Sequence, residues 1–279
     1  SSIESILKNN NFDEAFKALL LRVPSEKALA QVTPEINIEA LHKSCMTIRK
    51  NIASKNKDLF YKLYEENQIN SPYSYAPKTV GKRLLKNLCL NYLLELDDKE
   101  KPATLAYSQF KTADNMTDCF ASLQALAHSN TEYRKKALEE FYVKWKDDRT
   151  VLDSWFQAQA VARRENIFED VEALLSHQDF DLKNPNRLRS LLAAFFHNNW
   201  LGFHREDGKA YKLCADYVLK MNSINRQMAA SLLRAFGQWN RHDEKHSLLM
   251  FKELERINSY ENLAPDVKEI VTAYLKASR

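Results

Sequence analysis

The chain has 279 residues, 44% of them hydrophobic and 28% charged, so it is long enough to bury a large core. It contains only 4 glycines and 7 prolines, which argues against sheets joined by tight turns and against glycine-rich phosphate loops. The formal net charge of +4 comes from interleaved basic and acidic residues without a nucleic-acid-binding motif, so we expect no nucleic-acid partner.

Helical periodicity runs along the whole chain, and the alternating pattern of β-strands is nearly absent. In the segment 131–147, apolar residues from Tyr133 to Trp145 recur every three or four positions, and charged residues fill the opposite face. The same pattern predicts further helices over 12–22, 38–55, 78–96, 102–112, 116–128, 151–162, 184–198, 207–221, 224–239, 244–257 and 265–277.

Several predicted helices begin at a capping residue or a first-turn proline. Short loops between consecutive helices favour antiparallel packing, so the predicted fold is all-α: an irregular superhelix of antiparallel helix pairs, stacked as in armadillo or HEAT proteins. The segment 67–77 lacks periodicity and is the best internal linker, which would divide off a small N-terminal subdomain. The predicted helix starts are Ser25-Glu26, Thr33-Pro34-Glu35, Asn184-Pro185 and Ala264-Pro265-Asp266.

Cysteine spacing and hydropathy bear on where the chain resides. Cys45, Cys89, Cys119 and Cys214 are far apart and each falls in an apolar helical pattern, which predicts reduced core thiols in a reducing compartment. No apolar run approaches the roughly 20 residues of a membrane span, and residues 1–11 lack signal-peptide order. We therefore expect a cytoplasmic protein with no membrane partner.

One local pattern is reminiscent of a metal site. His242 and His246 are spaced at i and i+4, as in zinc proteases, but Asp243 stands where the H-E-x-x-H motif has its general base. A working zinc site needs a third protein ligand, and Pro265 occupies the position that would supply it. The polar neighbours instead predict an exposed helix start.

The remaining histidines and hydroxyls point to no active site. His197 and His204 lie near Trp200 and Phe203, which predicts packing at a helix end rather than catalysis. The sequence contains neither a G-x-S-x-G nucleophile turn nor a phosphate loop. We therefore predict no catalytic residue, no metal ligand and no cofactor in this chain.

The segment 184–190, N-P-N-R-L-R-S, opens a predicted helix with a cap, a proline and two arginines, Arg187 and Arg189. Arginine near a helix N-terminus opposes the helix dipole. Residues that oppose a local preference often have another role, such as holding a carboxylate. The alternative is that both arginines pair with nearby acids such as Asp179 and Asp181.

This segment also carries a family resemblance. N-P-N-R-x-R-S-L, followed by F-H-x-x-D-G at Phe203–Gly208, resembles the C-terminal domain of the bacterial and protozoan branch of aminopeptidase N, the zinc gluzincins. Each short motif is weak alone, but their shared order covers nearly the whole chain. The further matching stretches occupy 83–90, 113–118, 144–145, 155–160 and 254–263.

The resemblance implies that the chain belongs to a zinc-dependent aminopeptidase that removes N-terminal amino acids from peptides. In this family the zinc, its ligands and the G-A-M-E-N segment lie upstream, so the chain would be inactive alone. It would close over the catalytic domain of the same polypeptide and line the substrate channel. Arg189 would face the peptide substrate, with Arg187 and Asn186 sharing this task or bracing the turn.

The chain departs from the family pattern at one place. The branch usually carries a second arginine in the helix after L-N-x-x-N-P-Q-V-A, whereas this chain has Arg226 at the proline position and Ser231 at the expected arginine. A two-arginine clamp on the substrate is therefore not expected here. Two other hypotheses stay open: a free-standing helical scaffold that binds a protein in a groove, and a small metal hydrolase built on His242 and His246.

Overall fold

The computed structural model describes residues 2–277, which form helices and connecting loops without a β-strand. The all-α fold predicted from the sequence is thereby confirmed. In chain order the helices are α1 (Ser2–Lys8), α2 (Glu14–Leu20), α3 (Glu26–Val32), α4 (Ile38–Lys55), α5 (Lys57–Glu66), α6 (Pro77–Leu93), α7 (Glu100–Thr112), α8 (Met116–Ala127), α9 (Glu132–Trp145), α10 (Arg149–Ala160), α11 (Ile167–Leu175), α12 (Pro185–Leu188), α13 (Ala194–Asn198), α14 (Trp200–Phe203), α15 (Lys209–Ile224), α16 (Arg226–Leu233), α17 (Glu244–Asn258) and α18 (Pro265–Lys276).

The chain divides into two compact units. The first comprises Ser1–Pro24 and Lys43–Trp145, and the second comprises Ser25–His42 and Lys146–Arg279. The segment 67–77, which the sequence marked as a linker, lies inside the first unit, so it is not the boundary between these units. Its Ser74 carbonyl accepts hydrogen bonds from Arg83 and Thr79, which tie the segment to the first turns of α6.

Helix α6 forms the centre of the first unit, where α2, α5, α7 and α8 all pack against it. Its buried face carries polar side chains that are satisfied by one network. The Asp118 carboxylate accepts hydrogen bonds from Lys86 Nζ at 2.7 Å and from Asn87 Nδ2 at 2.8 Å. Gln109 Nε2 donates to Asn87 Oδ1 at 2.8 Å and so joins α7 to the same network. Burial of such groups is tolerated because each has a partner.

The second unit has an aromatic core. Phe203 lies at its centre, with ring centroids 5.6 Å from Phe196, 5.1 Å from Tyr211 and 6.0 Å from Phe236. Around it pack the pairs α15 with α16, α15 with α17, and α16 with α18. Rings at these separations bury large apolar areas and favour tilted or edge contacts.

The segment 25–42 is joined to the remainder of the second unit by hydrogen bonds to its backbone, from or to residues far away in the sequence. The Ile36 N–H donates to the Arg241 carbonyl at 2.7 Å, and Trp200 Nε1 donates to the Ile38 carbonyl at 3.0 Å. Thr33 ends α3 instead of starting a helix, so that predicted start is wrong. Helix α4 begins at Ile38, where the Asn37 side chain accepts from the Ala40 N–H.

The cysteines lie in the core, as the sequence predicts. Cys45, Cys89, Cys119 and Cys214 are all buried and form no disulfide among the described residues, and burial raises the pKa of the Cys89 thiol to about 12. Among residues 2–277, no helix combines the length and the apolar character that crossing a bilayer would require. The reducing compartment and the cytoplasmic location stay predictions.

Candidate functional site

The N-P-N-R-L-R-S segment folds as the predicted helix start. Asn184 Oδ1 accepts hydrogen bonds from the N–H groups of Asn186 at 3.0 Å and Arg187 at 3.3 Å, which caps α12. Pro185 occupies the first turn, where its missing N–H costs nothing. After one turn the helix widens into a π-helical turn over Arg189–Ala193 and then continues as α13. Such π-turns are rare and often occur at functional sites.

Arg187 is a structural residue of this turn. Its side chain is only 5% exposed, and Nε donates to Asp153 Oδ1 on α10 at 2.6 Å. Nη1 donates to the Asp179 carbonyl, and the guanidinium lies 4.8 Å from the centre of the Phe156 ring. The planar guanidinium therefore bonds in two directions while stacking on an aromatic face, a combination that lysine could not reproduce. These contacts fix the start of α12 against α10.

Arg189 and Asn186 have a different environment, because both are exposed. Arg189 Nη1 donates to Asn186 Oδ1 at 3.1 Å, which orients the two polar groups together. Within residues 2–277, Arg189 forms no ion pair. Of the three residues grouped from the sequence, Asn186 and Arg189 meet at the surface, whereas Arg187 is buried. The alternative pairing with acids holds for Arg187 only, and its carboxylate partner is Asp153.

Arg226 and Ser231, which lie where the family pattern has its proline and its second arginine, do not form a pair of substrate-binding arginines with Arg189. Arg226 lies 3.6 Å from the Asp266 carboxylate at the surface. Ser231 contributes its backbone carbonyl, which lies 3.0 Å from His197 Nε2. His197 thus has the local hydrogen bond expected of a packing residue, and its burial lowers its pKa.

The histidine pair at 242 and 246 is not an exposed helix start, contrary to the sequence interpretation. His242 precedes α17, whose N-cap is Asp243, and both histidines are buried. His246 Nδ1 bonds to the Asp243 carboxylate at 2.7 Å, and its Nε2 donates to the His204 carbonyl at 3.1 Å. Burial lowers the pKa of His242 to about 4 and that of His204 well below its usual value.

This cluster does not suit a metal ion. His246 already uses both ring nitrogens, and His204 Nδ1 lies 2.8 Å from the Tyr211 hydroxyl. Over the part of the chain that the structure describes, no three His, Cys, Asp or Glu side chains are grouped as metal ligands would be. The cluster therefore fills the space where α14, α15 and α17 meet.

The fold and this site define an all-helical stack of the armadillo kind that presents an arginine at a capped, π-widened turn. Residues 1–276 match the model of the family described as "Domain of unknown function (DUF3458_C) ARM repeats". The chain belongs to this family.

Curated relatives are similar over nearly the whole chain. Aminopeptidase N of Caulobacter vibrioides is 37% identical over 263 residues, which is 94% of this chain and 30% of that protein. Aminopeptidase N of Haemophilus influenzae is 30% identical over 99% of this chain and 31% of its own length. Aminopeptidase N of Escherichia coli is 31% identical over 98% of this chain and 31% of its own length. The chain thus spans about a third of the length of these relatives, in their C-terminal part.

One solved structure is similar over nearly the whole chain as well. Legionella pneumophila aminopeptidase A, in complex with aspartic acid, superposes with a TM-score of 0.88 at 32% identity. The superposition covers 98% of this chain and 33% of that chain. The resemblance to the aminopeptidase N C-terminal domain is therefore confirmed.

Proposed function

We propose that this chain is the C-terminal helical domain of a zinc-dependent aminopeptidase that removes N-terminal amino acids from peptides. The observation that carries the proposal is the coverage: nearly all of this chain corresponds to only about a third of each aminopeptidase N relative. In this proposal the zinc and the catalytic groups belong to the rest of the same polypeptide. The helical domain closes over them, which excludes bulk water and folded proteins from the reacting bond.

Within that function, Arg189 contacts the peptide substrate beyond the bond that is cleaved. Its exposure, its lack of an ion pair among the described residues and its orientation by Asn186 support this role. A guanidinium can hold a peptide carboxylate or carbonyl through charge-assisted hydrogen bonds. Arg187 acts indirectly, because it holds the turn that carries Arg189.

An apolar surface of the first unit supports docking against the rest of the polypeptide. Leu19 is 58% exposed, Phe16 43% and Met116 38%. A groove of about 520 Å³ between α2, α6 and α8 is lined in part by Met116, Leu84 and Phe120. Phe16 and Leu19 lie three positions apart on α2 and are therefore neighbours on its surface, and adjoining exposed apolar side chains are typical of a covered interface.

The first experiment is an immunoblot of source cells with an antibody raised against this chain. A native polypeptide of about three times 32.5 kDa agrees with the proposal. A native band at 32.5 kDa would contradict it and favour the free-standing scaffold.

The second experiment tests Arg189 in the full-length polypeptide. Arg189→Ala should lower kcat/KM for longer peptides by roughly tenfold, the effect of one lost charge-assisted hydrogen bond. Single-residue chromogenic amides, which do not reach Arg189, should be hydrolysed at the wild-type rate. Lys183→Ala, in the loop before α12, is the matched control and should change neither rate. Equal losses on both substrate types would count against the channel role.

A further inference from the structure

The π-turn at Arg189–Ala193 decides which residues share a face of the helical segment that contains it. In an uninterrupted α-helix, two turns counted from Arg189 would end near Phe196, about seven residues further on. A π-turn uses about one residue more than an α-turn, so the two turns end at His197 instead. The exposures agree, because Phe196 is only 2% exposed, whereas Arg189, Ala193 and His197 all reach solvent. These last three residues form one line along the solvent face of the segment, termed here the Arg189 stripe.

His197 ends the stripe with one ring nitrogen bonded and the other available. Its Nε2 lies 3.0 Å from the Ser231 carbonyl, which can only accept, so Nε2 carries the proton. Burial lowers the pKa of the imidazole, so the ring is neutral at neutral pH and Nδ1 is a hydrogen-bond acceptor. This Nδ1 has no partner among the described residues and, unlike Nδ1 of His242, is not enclosed by protein atoms. The ring also lines an open cavity of about 340 Å³, so an approaching donor can reach it.

The charges around His197 determine which kind of donor suits its Nδ1. Lys27 and Arg234 lie close enough to lower the pKa of the imidazole further. These cations repel an ammonium group, and the Glu26 carboxylate in the same cavity wall already bonds to His42 at 2.9 Å. A neutral N–H is therefore the favoured donor. A peptide backbone supplies one at every residue except proline.

The length of the stripe fits an extended peptide. Two helical turns rise about 11 Å along the helix axis. An extended chain covers that distance in about three residues, at about 3.3 Å for each. A peptide whose carbonyl or terminal carboxylate is held by Arg189 can therefore place a backbone N–H at His197. Ala193 lies between the two contacts, and its small side chain leaves the peptide room to approach the helix surface.

We propose that His197 is a second substrate-binding residue, which makes the enzyme prefer peptides long enough to reach from Arg189 to His197. His197 Nδ1 accepts a hydrogen bond from a backbone N–H of the peptide, while Arg189 holds a carbonyl or the terminal carboxylate. The inference rests on the proposed aminopeptidase function and assigns it a substrate class, peptides of about five residues or more. About four residues reach from one contact to the other, and one more is released.

The test is a kinetic comparison in the full-length polypeptide with oligoalanine peptides of two to six residues, measured as initial rates of release of the first residue. His197→Gln is the informative variant, because its amide can still donate to the Ser231 carbonyl but has no acceptor at the position of Nδ1. KM for the five- and six-residue peptides should rise roughly fivefold, the effect of one lost hydrogen bond, with kcat unchanged. The two-residue peptide does not span the stripe and should keep its KM. Asn198→Ala, an exposed change one position beyond the stripe, is the matched control and should alter neither value.

A second variant separates substrate binding from packing. His197→Asn keeps an oxygen acceptor near the position of Nδ1 but loses the bond to Ser231, so it should keep KM for long peptides within about twofold of wild type. Equal rises in KM at all peptide lengths, an unchanged KM for the six-residue peptide in His197→Gln, or equal effects of the two variants would each overturn the proposal. If Arg189→Ala impairs only long peptides and His197→Gln impairs none, the proposed function stands and this inference fails. If the full-length polypeptide hydrolyses none of the peptides, both fail.

Discussion

Replacement of Arg187 by alanine should lower the free energy of unfolding by about 3 kcal/mol. The change removes the partner of the Asp153 carboxylate and leaves the Asp179 carbonyl without its donor. Removal of one member of a buried ion pair costs about 3–5 kcal/mol, because the other charge stays desolvated. The Asp153 side chain is 18% exposed and regains some water, so we expect the lower end of that range.

The assay is denaturant unfolding followed by circular dichroism. Arg187→Lys keeps the charge but loses the forked geometry, so it should fall between wild type and alanine. Arg189→Ala, two residues away and exposed, should change stability by less than about 0.5 kcal/mol. If Arg189→Ala destabilises as much as Arg187→Ala, or if Arg187→Ala is neutral, the division of roles between the two arginines is wrong.

Three further predictions concern other buried groups. Asp118→Leu removes the acceptor of buried Lys86 and should cost about 3 kcal/mol in denaturant unfolding, part of which Lys86→Met should restore; a loss below about 1 kcal/mol would contradict this. Gly202→Ala places a Cβ 2.6 Å from the Phe195 ring and should lower the free energy of unfolding by about 1–3 kcal/mol. An unchanged melting temperature would show that residue 202 and the Phe195 ring are not packed this closely. The pKa of His242 is lowered from 6.5 to about 4 in the folded protein, so between these pH values the unfolded chain binds a proton that the folded chain does not. The free energy of unfolding should therefore decrease as the pH falls from about 6.5 to about 4. His242→Phe should remove most of this pH dependence. An unchanged slope of unfolding free energy against pH would show that His242 is not its source.

The sequence predicted long helices well and short ones poorly. Helix α4 has the predicted bounds of 38–55, because five turns of amphipathic pattern leave little ambiguity. Helices α5 and α11 were not predicted, since each spans three turns or fewer and supplies few repeats of the pattern. The π-turn at Arg189–Ala193 has no sequence signature either, so the helix predicted over 184–198 shows no sign of its break.

Local chemistry in the sequence predicted the capped helix start but not the distant residues that contact it. The Asn184 cap was predictable because the capping atoms lie within three residues. Asp153, by contrast, lies 34 residues from Arg187, and nothing in the local pattern connects them. The burial of His242 was missed for the same reason: its polar neighbours indicate a surface, whereas the contact with His204 comes from a distant segment.

The spacing of the two arginines nevertheless contains information about their roles. Successive residues of an α-helix rotate by about 100° about its axis, so positions i and i+2 point roughly 200° apart. Once α10 packs against Arg187, Arg189 must face away from that contact. The same geometry that buries one guanidinium therefore exposes the other, and a site that needs a free arginine on a rigid turn can obtain both features from the pattern R-x-R.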